Sequence, residues 1–281
     1  MKKRIALMLL IALIALFAAH GEEAALQDVW QMEKLDGTCW NRDFDGDGTS
    51  ETASIVYDLN EYGDGAFTLI VNGQSIQTEG CASLYTDVYA MKAGTQWYYY
   101  GTLLFVSEYG MSDDLLTYCF FYTDGRLLDV GRIPDCAENF IVSADGIITV
   151  SERARHIGTW YYPSDYMLAR GIFYTEDDFD EVYGMCRIPR DNYPMGMIVK
   201  SKVELRLLAS KCDTAPLMRV PADTRVILAS SDDVTWLCVS TMDGSVTGYL
   251  RMTGIEYMDY LTVGDRFLPV DDVFDGIFYA D

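Results

Sequence analysis

Phe67, Leu69 and Val71 alternate with smaller or more polar neighbours, which predicts a strand covered on one face. By contrast Trp97-Tyr98-Tyr99-Tyr100-Gly101-Thr102-Leu103-Leu104-Phe105-Val106 is apolar or aromatic at nearly every position, as a central strand packed on both sides requires. Asn72-Gly73, Asp124-Gly125 and Asp145-Gly146 each separate such runs and predict hairpins, because these dipeptides readily take the positive φ of type I′ turns. Helix is scarce: Leu84, Val88 and Met91 are spaced for one short helix, and Thr175, capping Glu176-Asp177-Asp178 before Phe179, Val182 and Tyr183, for another. At the start, Lys2-Lys3-Arg4 precede fifteen apolar residues, Ile5 to Ala19, and Ala19-His20-Gly21 places small residues before a cleavage point after Gly21. The run is shorter than the ~17 residues a spanning helix needs, so it reads as a secretory signal peptide with no membrane anchor after cleavage, and the mature chain is expected to be secreted.

Charge narrows the partners. Without residues 1–21 the chain carries 18 basic and 43 acidic side chains, a formal charge of −25. That disfavours nucleic acid and anionic surfaces and favours divalent cations. Residues 22–196 hold 10 basic and 30 acidic residues, whereas 197–281 hold 8 and 13, so composition shifts near 196 and two domains are expected, 22–196 and 197–281. Seven cysteines (39, 81, 119, 136, 186, 212 and 238) in an exported chain would allow three disulfides and one free thiol, with connectivity open. No C-x-x-C occurs, and Cys119, within an apolar run, suits a small buried hydrophobe.

The stretch with the most chemistry is Asp43-Phe44-Asp45-Gly46-Asp47-Gly48-Thr49-Ser50-Glu51. A hard dication takes six to eight oxygens at roughly 2.3–2.6 Å, so a chain supplying them locally must double back, which Gly46 and Gly48 permit. Asp43, Asp45 and Asp47 offer side-chain oxygens, Thr49 a carbonyl, and Glu51 a carboxylate directly or through water. Position 12 of an EF-hand would be Ser54 rather than Glu, and Thr52 to Tyr57 reads as a strand, so this is not an EF-hand. The nine residues resemble the D-x-D-x-D-G-x-x-D/E calcium loop of FG-GAP repeats, which implies Ca²⁺ and a loop leading into a strand. The alternative is an acidic turn with no ion. Asp58 to Gly65 is a degraded second copy, read as a turn, and a closed propeller would need several such repeats. The first domain is therefore expected to be a few blade-like sheets or a sandwich. Glu108-Tyr109-Gly110-Met111-Ser112-Asp113-Asp114 is similar to a G-x-S-D-D stretch of exported bacterial proteins, which implies no activity, and Asp113 and Asp114 read as turn caps.

In the tail, Val203 to Leu207, Ala215-Pro216-Leu217, Val220 to Val226, Val234 to Val239 and Asp243 to Leu250 resemble, in order, the segments of a bacterial SH3 (SH3b) domain. Thr224 and Tyr249 depart from a usual Gly and Trp. Val226, Leu228, Leu237, Val239 and Leu250 are spaced to fill a small barrel, onto which Val270 to Phe278 packs back. The resemblance implies attachment to cell-wall peptide or polysaccharide, with Trp236 and Tyr249 at a groove; the alternative places both in packing. SH3b modules also accompany cysteine hydrolases, for which Cys136 is the nearest nucleophile, but the only histidine after the leader is His156, between Arg155 and Ile157. The expectation is an all-β, exported, non-enzymatic, calcium-binding protein of the cell envelope. An adhesin using its acidic face on an extracellular protein is the first alternative, and a wall hydrolase the second.

Overall fold

A computed structural model describes residues 30–95, 98–110, 115–174, 179–255 and 258–279. The leader, Trp97, Asp113, Asp114 and the 175–178 part of the expected second helix lie outside them. The chain folds as two compact units, one running up to Val150 and including Asp165–Arg187, the other built from Ser151–Ser164 and Ile188–Asp281. It is all-β, as expected. Among the described residues no helix is long and apolar enough to cross a membrane.

After β1 (Met32–Leu35), the first unit lays down strands in chain order. β2 (Cys39–Arg42), β3 (Glu51–Leu59), β4 (Gly65–Val71) and β5 (Gln74–Cys81) form one sheet; β6 (Leu84–Thr95), β7 (Tyr98–Tyr109), β8 (Leu115–Thr123) and β9 (Arg126–Pro134) form the next, with β1 on the β6 edge. β10 (Ile141–Val142), β11 (Ile148–Arg153), β12 (Tyr161–Tyr174) and β13 (Phe179–Ile188) form a third, and the chain passes between the units within β11, within β12 and at the end of β13.

The middle sheet is buried on both faces, and β7 lies at its centre. Leu104 and Val106, with Tyr118, Phe120 and Tyr122 of β8, join Ala53, Ile55, Phe67, Leu69 and Val71 of the first sheet in one core. The alternate residues Leu103, Phe105, Cys119 and Phe121 join Ile148, Val150 and Tyr166 in a second. Phe67 meets Tyr118 and Phe120 edge-on at 5.4 and 5.9 Å. Each such side chain stabilises the fold by roughly 1.5–3 kcal/mol, and two cores sharing one sheet couple the three layers.

This arrangement corrects both helix expectations. Leu84, Val88 and Met91 lie in β6, where Leu84 and Val88 face the first core and Met91 the second, across a register shift between Leu84 and Val88. Their three-and-four spacing reflects burial on both faces of a bulged strand. Phe179, Val182 and Tyr183 belong to β13, whose Tyr183 and Met185 reach the second core at period two. The turns follow the sequence more closely. Asn72-Gly73 and Asp124-Gly125 take positive φ at both residues (48° and 81°, 47° and 68°), as type I′ hairpins require. At Asp145-Gly146 only the glycine does, in a longer loop closed by Gly146 N–H to the Ser143 carbonyl at 3.0 Å. Within Asp58 to Gly65, residues 60–64 form the turn between β3 and β4, with Asn60 Oδ1 accepting the N–H groups of Tyr62 and Asp64.

The second unit contains β14 (Tyr193–Ser201), β15 (Leu205–Leu208), β16 (Leu217–Val220), β17 (Arg225–Ser231), β18 (Trp236–Thr241), β19 (Thr247–Ile255), β20 (Met258–Val263), β21 (Arg266–Pro269), α1 (Val270–Val273) and β22 (Phe274–Asp275). The expected boundary at 196/197 falls inside β14. Val226, Leu228, Leu237, Val239 and Leu250 are fully buried in one core, with Val273 and Phe274 of the tail packed among them. The ladder runs β16-β15-β19-β18-β17-β14-β22, with β20 and β21 continuing from β19, and no closed barrel forms. The barrel expected from the core spacing stays open because β14 occupies the free edge of β17 and β20 that of β19. Phe278 is exposed, although its carbonyl accepts Thr159 N–H at 2.7 Å.

Two carboxylates hold the 155–157 segment to this core. Buried Asp233 accepts the N–H groups of Arg155 and His156 and the Tyr162 hydroxyl, at 3.0–3.1 Å. Asp259 accepts Ile157 N–H at 2.6 Å and pairs with His156 Nδ1 at 2.7 Å. The grip holds Ile157, fully buried, at a φ of 62°, a conformation costly for a β-branched residue. The hydrogen bond to Asp259 raises the His156 pKa; burial and Arg155 oppose, and the charges of Asp259 and Asp233 add to the rise. A histidine raised on folding contributes stability that is complete below its unfolded value of about 6.5 and is lost as pH rises through the higher folded value. The melting temperature of the wild type is therefore expected to fall, relative to His156→Asn, between pH 6 and pH 8.5; a parallel pair of curves would contradict this.

Candidate metal centre

The nine-residue acidic loop joins β2 to β3, and Glu51 opens the strand as expected. Phe44 is its anchor. The ring is fully buried and packs edge-on against Tyr122 at 6.5 Å, the N–H donates to Glu51 Oε2 at 2.7 Å, and the carbonyl accepts the Thr102 hydroxyl at 2.7 Å. One apolar residue thus pins the loop at its start, leaving the flanking aspartates outside. Gly46 and Gly48, at φ of 78° and 88°, fold the rest back, a conformation with little penalty only for glycine.

The loop's own N–H groups orient its carboxylates. Asp43 accepts from Gly46 at 2.6 Å and Gly48 at 3.0 Å, Asp45 from Asp47 at 3.3 Å, and Asp47 from Thr49 at 2.6 Å. Asp45 also accepts Gly125 N–H at 3.1 Å, which ties the loop to the β8–β9 turn. Gln74, the first residue of β5, holds the same hairpin through the Gly125 carbonyl and, at 3.1 Å, Leu127 N–H.

Asp43, Asp45, Asp47 and Glu51 each place one oxygen so that all four lie within 4.8 Å of one another, and this group could bind a metal ion. Oxygens at 2.3–2.6 Å from a common centre can be no farther apart than about 5.2 Å, so the spacing fits one shared cation. Thr49 is exposed between Asp47 and Glu51. Among the described residues no basic side chain pairs with any of the four carboxylates; the adjacent Arg42 pairs with Glu33. Two like charges at about 4 Å repel by about 1 kcal/mol in water and about 4 kcal/mol near a protein surface. Glu51 is the buried member: desolvation pushes its pKa up, Phe44 N–H opposes, and the charges of Asp45, Asp43 and Asp47 add to the rise. A dication would offset that repulsion.

Sequence reasoning found the four carboxylates because they are local. It missed Thr102, Tyr122 and Gly125, which the fold brings to the loop from 58 to 80 positions away, and Gln74, which holds the Gly125 hairpin. Asp124-Gly125 carried a turn signal, with nothing to connect it to Asp45.

Trp236 and Tyr249 lie on the neighbouring strands β18 and β19, both half-buried. Tyr249 pairs with Cys238 and Trp236 with Arg251, so the two aromatics are diagonal neighbours on the face opposite Leu237, Val239 and Leu250. Lys211 Nζ stands 6.0 Å from the Tyr249 ring centre, within cation–π reach.

All seven thiols are free, and the three disulfides that seven cysteines would allow do not form. Cys81, Cys119, Cys136 and Cys238 are buried, Cys39, Cys186 and Cys212 exposed. Cys136 precedes a three-residue 3-10 turn, and burial pushes its thiol up to about 11, opposite to the shift an activated nucleophile needs. Hydrogen bonds from the Thr214 side chain and backbone lower the Cys212 pKa. Timed alkylation of the native protein at neutral pH, read by peptide mapping, is expected to label Cys212 first and Cys136 far later; rapid labelling of Cys136 would restore the hydrolase reading. Comparison with protein-family models, curated proteins and solved structures gives no match for this chain.

Proposed function

We propose that this chain is an exported, non-enzymatic binding protein in which a structural Ca²⁺ at Asp43, Asp45, Asp47 and Glu51, with the Thr49 carbonyl, fixes the β2–β3 loop, while the C-terminal unit attaches to the cell envelope. The observation that carries the first half is four carboxylates gathered within 4.8 Å with no basic partner among the described residues. Calcium is favoured over magnesium because a local loop of carboxylates and a carbonyl suits a flexible shell of six to eight oxygens better than a strict octahedron. With ~1 mM calcium and a Kd of ~0.1 mM, the ion would add about 1.4 kcal/mol, or roughly 2–4 °C in melting temperature for a protein of this size class.

The loop geometry decides which substitution tests this. Alanine at Asp43 or Asp45 would also break hydrogen bonds within the loop or to Gly125, whereas Asp47→Asn keeps the acceptor used by Thr49 and removes only charge. Asp47→Asn is expected to lower the melting temperature by a few degrees in 1 mM calcium and to leave it equal or slightly higher in chelator. Equal losses in both would reduce the loop to an acidic turn.

Envelope attachment rests on the SH3b resemblance and on the half-buried Trp236 and Tyr249 sharing one face. The full chain should sediment with purified cell wall, and Trp236→Ala with Tyr249→Ala should cut the bound fraction severalfold. The adhesin alternative draws on the formal charge of −22; it predicts no sedimentation with wall and a salt-sensitive complex with a basic extracellular protein.

A further inference from the structure

Three successive backbone N–H groups, those of Arg155, His156 and Ile157, are bound by two carboxylates from distant parts of the second unit. Asp233, in the β17–β18 turn, takes the first two at 3.0 and 3.1 Å; Asp259, on β20, takes the third at 2.6 Å and His156 Nδ1 at 2.7 Å. A left-handed residue at the end of such a run, here Ile157, bends the N–H groups into an anion-binding concavity. The His156 ring is largely buried beside these carboxylates and rests on Gly254 of β19, where a Cβ would come within 2.6 Å of it.

The C-terminal tail closes over the same segment. Thr159 N–H donates to the Phe278 carbonyl at 2.7 Å, and a side chain at Gly158 would collide with that carbonyl and with the Ile277 side chain. The Tyr279 hydroxyl fastens the end of the tail to Asp271 at 3.1 Å. Of residues 155–159 only Ile157 is fully buried in the core of the unit. The segment is thus strained backbone held by hydrogen bonds to charged groups more than by apolar packing, and an element of that kind opens before the fold around it does.

We propose that residues 155–159 form a pH-operated clasp with the 276–279 tail as its strap: protonated His156 keeps it closed onto Asp233 and Asp259, and loss of that proton lets it open while the β-ladder around it stays folded. The charges around the imidazole set the sign. The hydrogen bond to Asp259 raises the His156 pKa most, burial opposes it, the charges of Asp259 and Asp233 add to the rise, and Arg155 subtracts from it. Burial raises Asp233, against which the Arg155 N–H, the Tyr162 hydroxyl and the imidazolium hold it down. Deprotonating His156 therefore leaves two largely buried carboxylates with one counter-charge fewer and gives Asp259 a weaker hydrogen bond. Tyr279, whose hydroxyl burial pushes up to about 12, stays neutral throughout. Closure is complete below the unfolded histidine value of about 6.5 and is lost as pH rises through the higher folded value.

Hydrogen exchange of the full chain, read by mass spectrometry and corrected for the intrinsic pH dependence of amide exchange, tests this. A peptide covering 154–162 contains the clasp's own N–H groups, and its opening is expected to rise severalfold from pH 6 to pH 8.5 while peptides from β17 and β18 stay unchanged. His156→Asn is expected to open to the same extent at both pH values, and Ile277→Ala, which loosens the strap, to raise opening of 154–162 already at pH 6. A flat wild-type response, or one spread equally over β17 and β18, would overturn the clasp even where a variant does not fold. A pH response retained in His156→Asn would assign the titration to another group and overturn it too. Unchanged opening in Ile277→Ala would remove the tail from the device.

Discussion

A sheet that is apolar on both faces has no surface it can present to water, and the first unit follows from that constraint. β7 and β8 send Leu104, Val106, Phe120 and Tyr122 one way and Leu103, Phe105, Cys119 and Phe121 the other. Each face needs a cover, and the strands before and after supply it in chain order. The loop between β2 and β3 inherits its place from this requirement, because Phe44 fills a position in the first core and fixes the acidic residues beside it. Chemistry here is a by-product of packing: the carboxylates converge because the residue between two of them is buried.

Local signals were legible and distant ones were not. Alternation at Phe67, Leu69 and Val71, the two-faced run ending at Val106, the turns at Asn72-Gly73 and Asp124-Gly125, and the acidic loop each depend on a few consecutive residues. Leu84, Val88 and Met91 misled because burial on both faces removes the alternation that distinguishes a strand from a helix. The core of the second unit was readable from Val226 to Leu250, yet closure of a barrel depends on which strands occupy the free edges, and spacing along the chain carries no record of that. Gly125 at Asp45 and Asp233 at Arg155 are contacts across 80 and 78 positions.

The 20 tyrosines of the chain call for an account. The structure supplies one for several of them. Tyr118 and Tyr162 place the body of the ring in a core and the hydroxyl on a carboxylate, and Tyr57 reaches the Thr86 carbonyl at 3.1 Å. In an acidic chain such residues fill apolar volume while donating to the anions that surround it.

The second unit is assembled from two separate stretches of chain, and this sets an order of events during synthesis. Ser151–Ser164 leaves the ribosome well before the residues that hold it, since Asp233 and Asp259 follow Arg155 and His156 by 78 and 103 positions. Until then Ile157 has no core to enter and the backbone at 155–157 has no acceptors. The unit therefore completes only after Asp259 has been made, by closing long loops of the kind that slow folding. A fragment beginning at residue 197 would lack Ile157 and half of β14, and would be born with an open core.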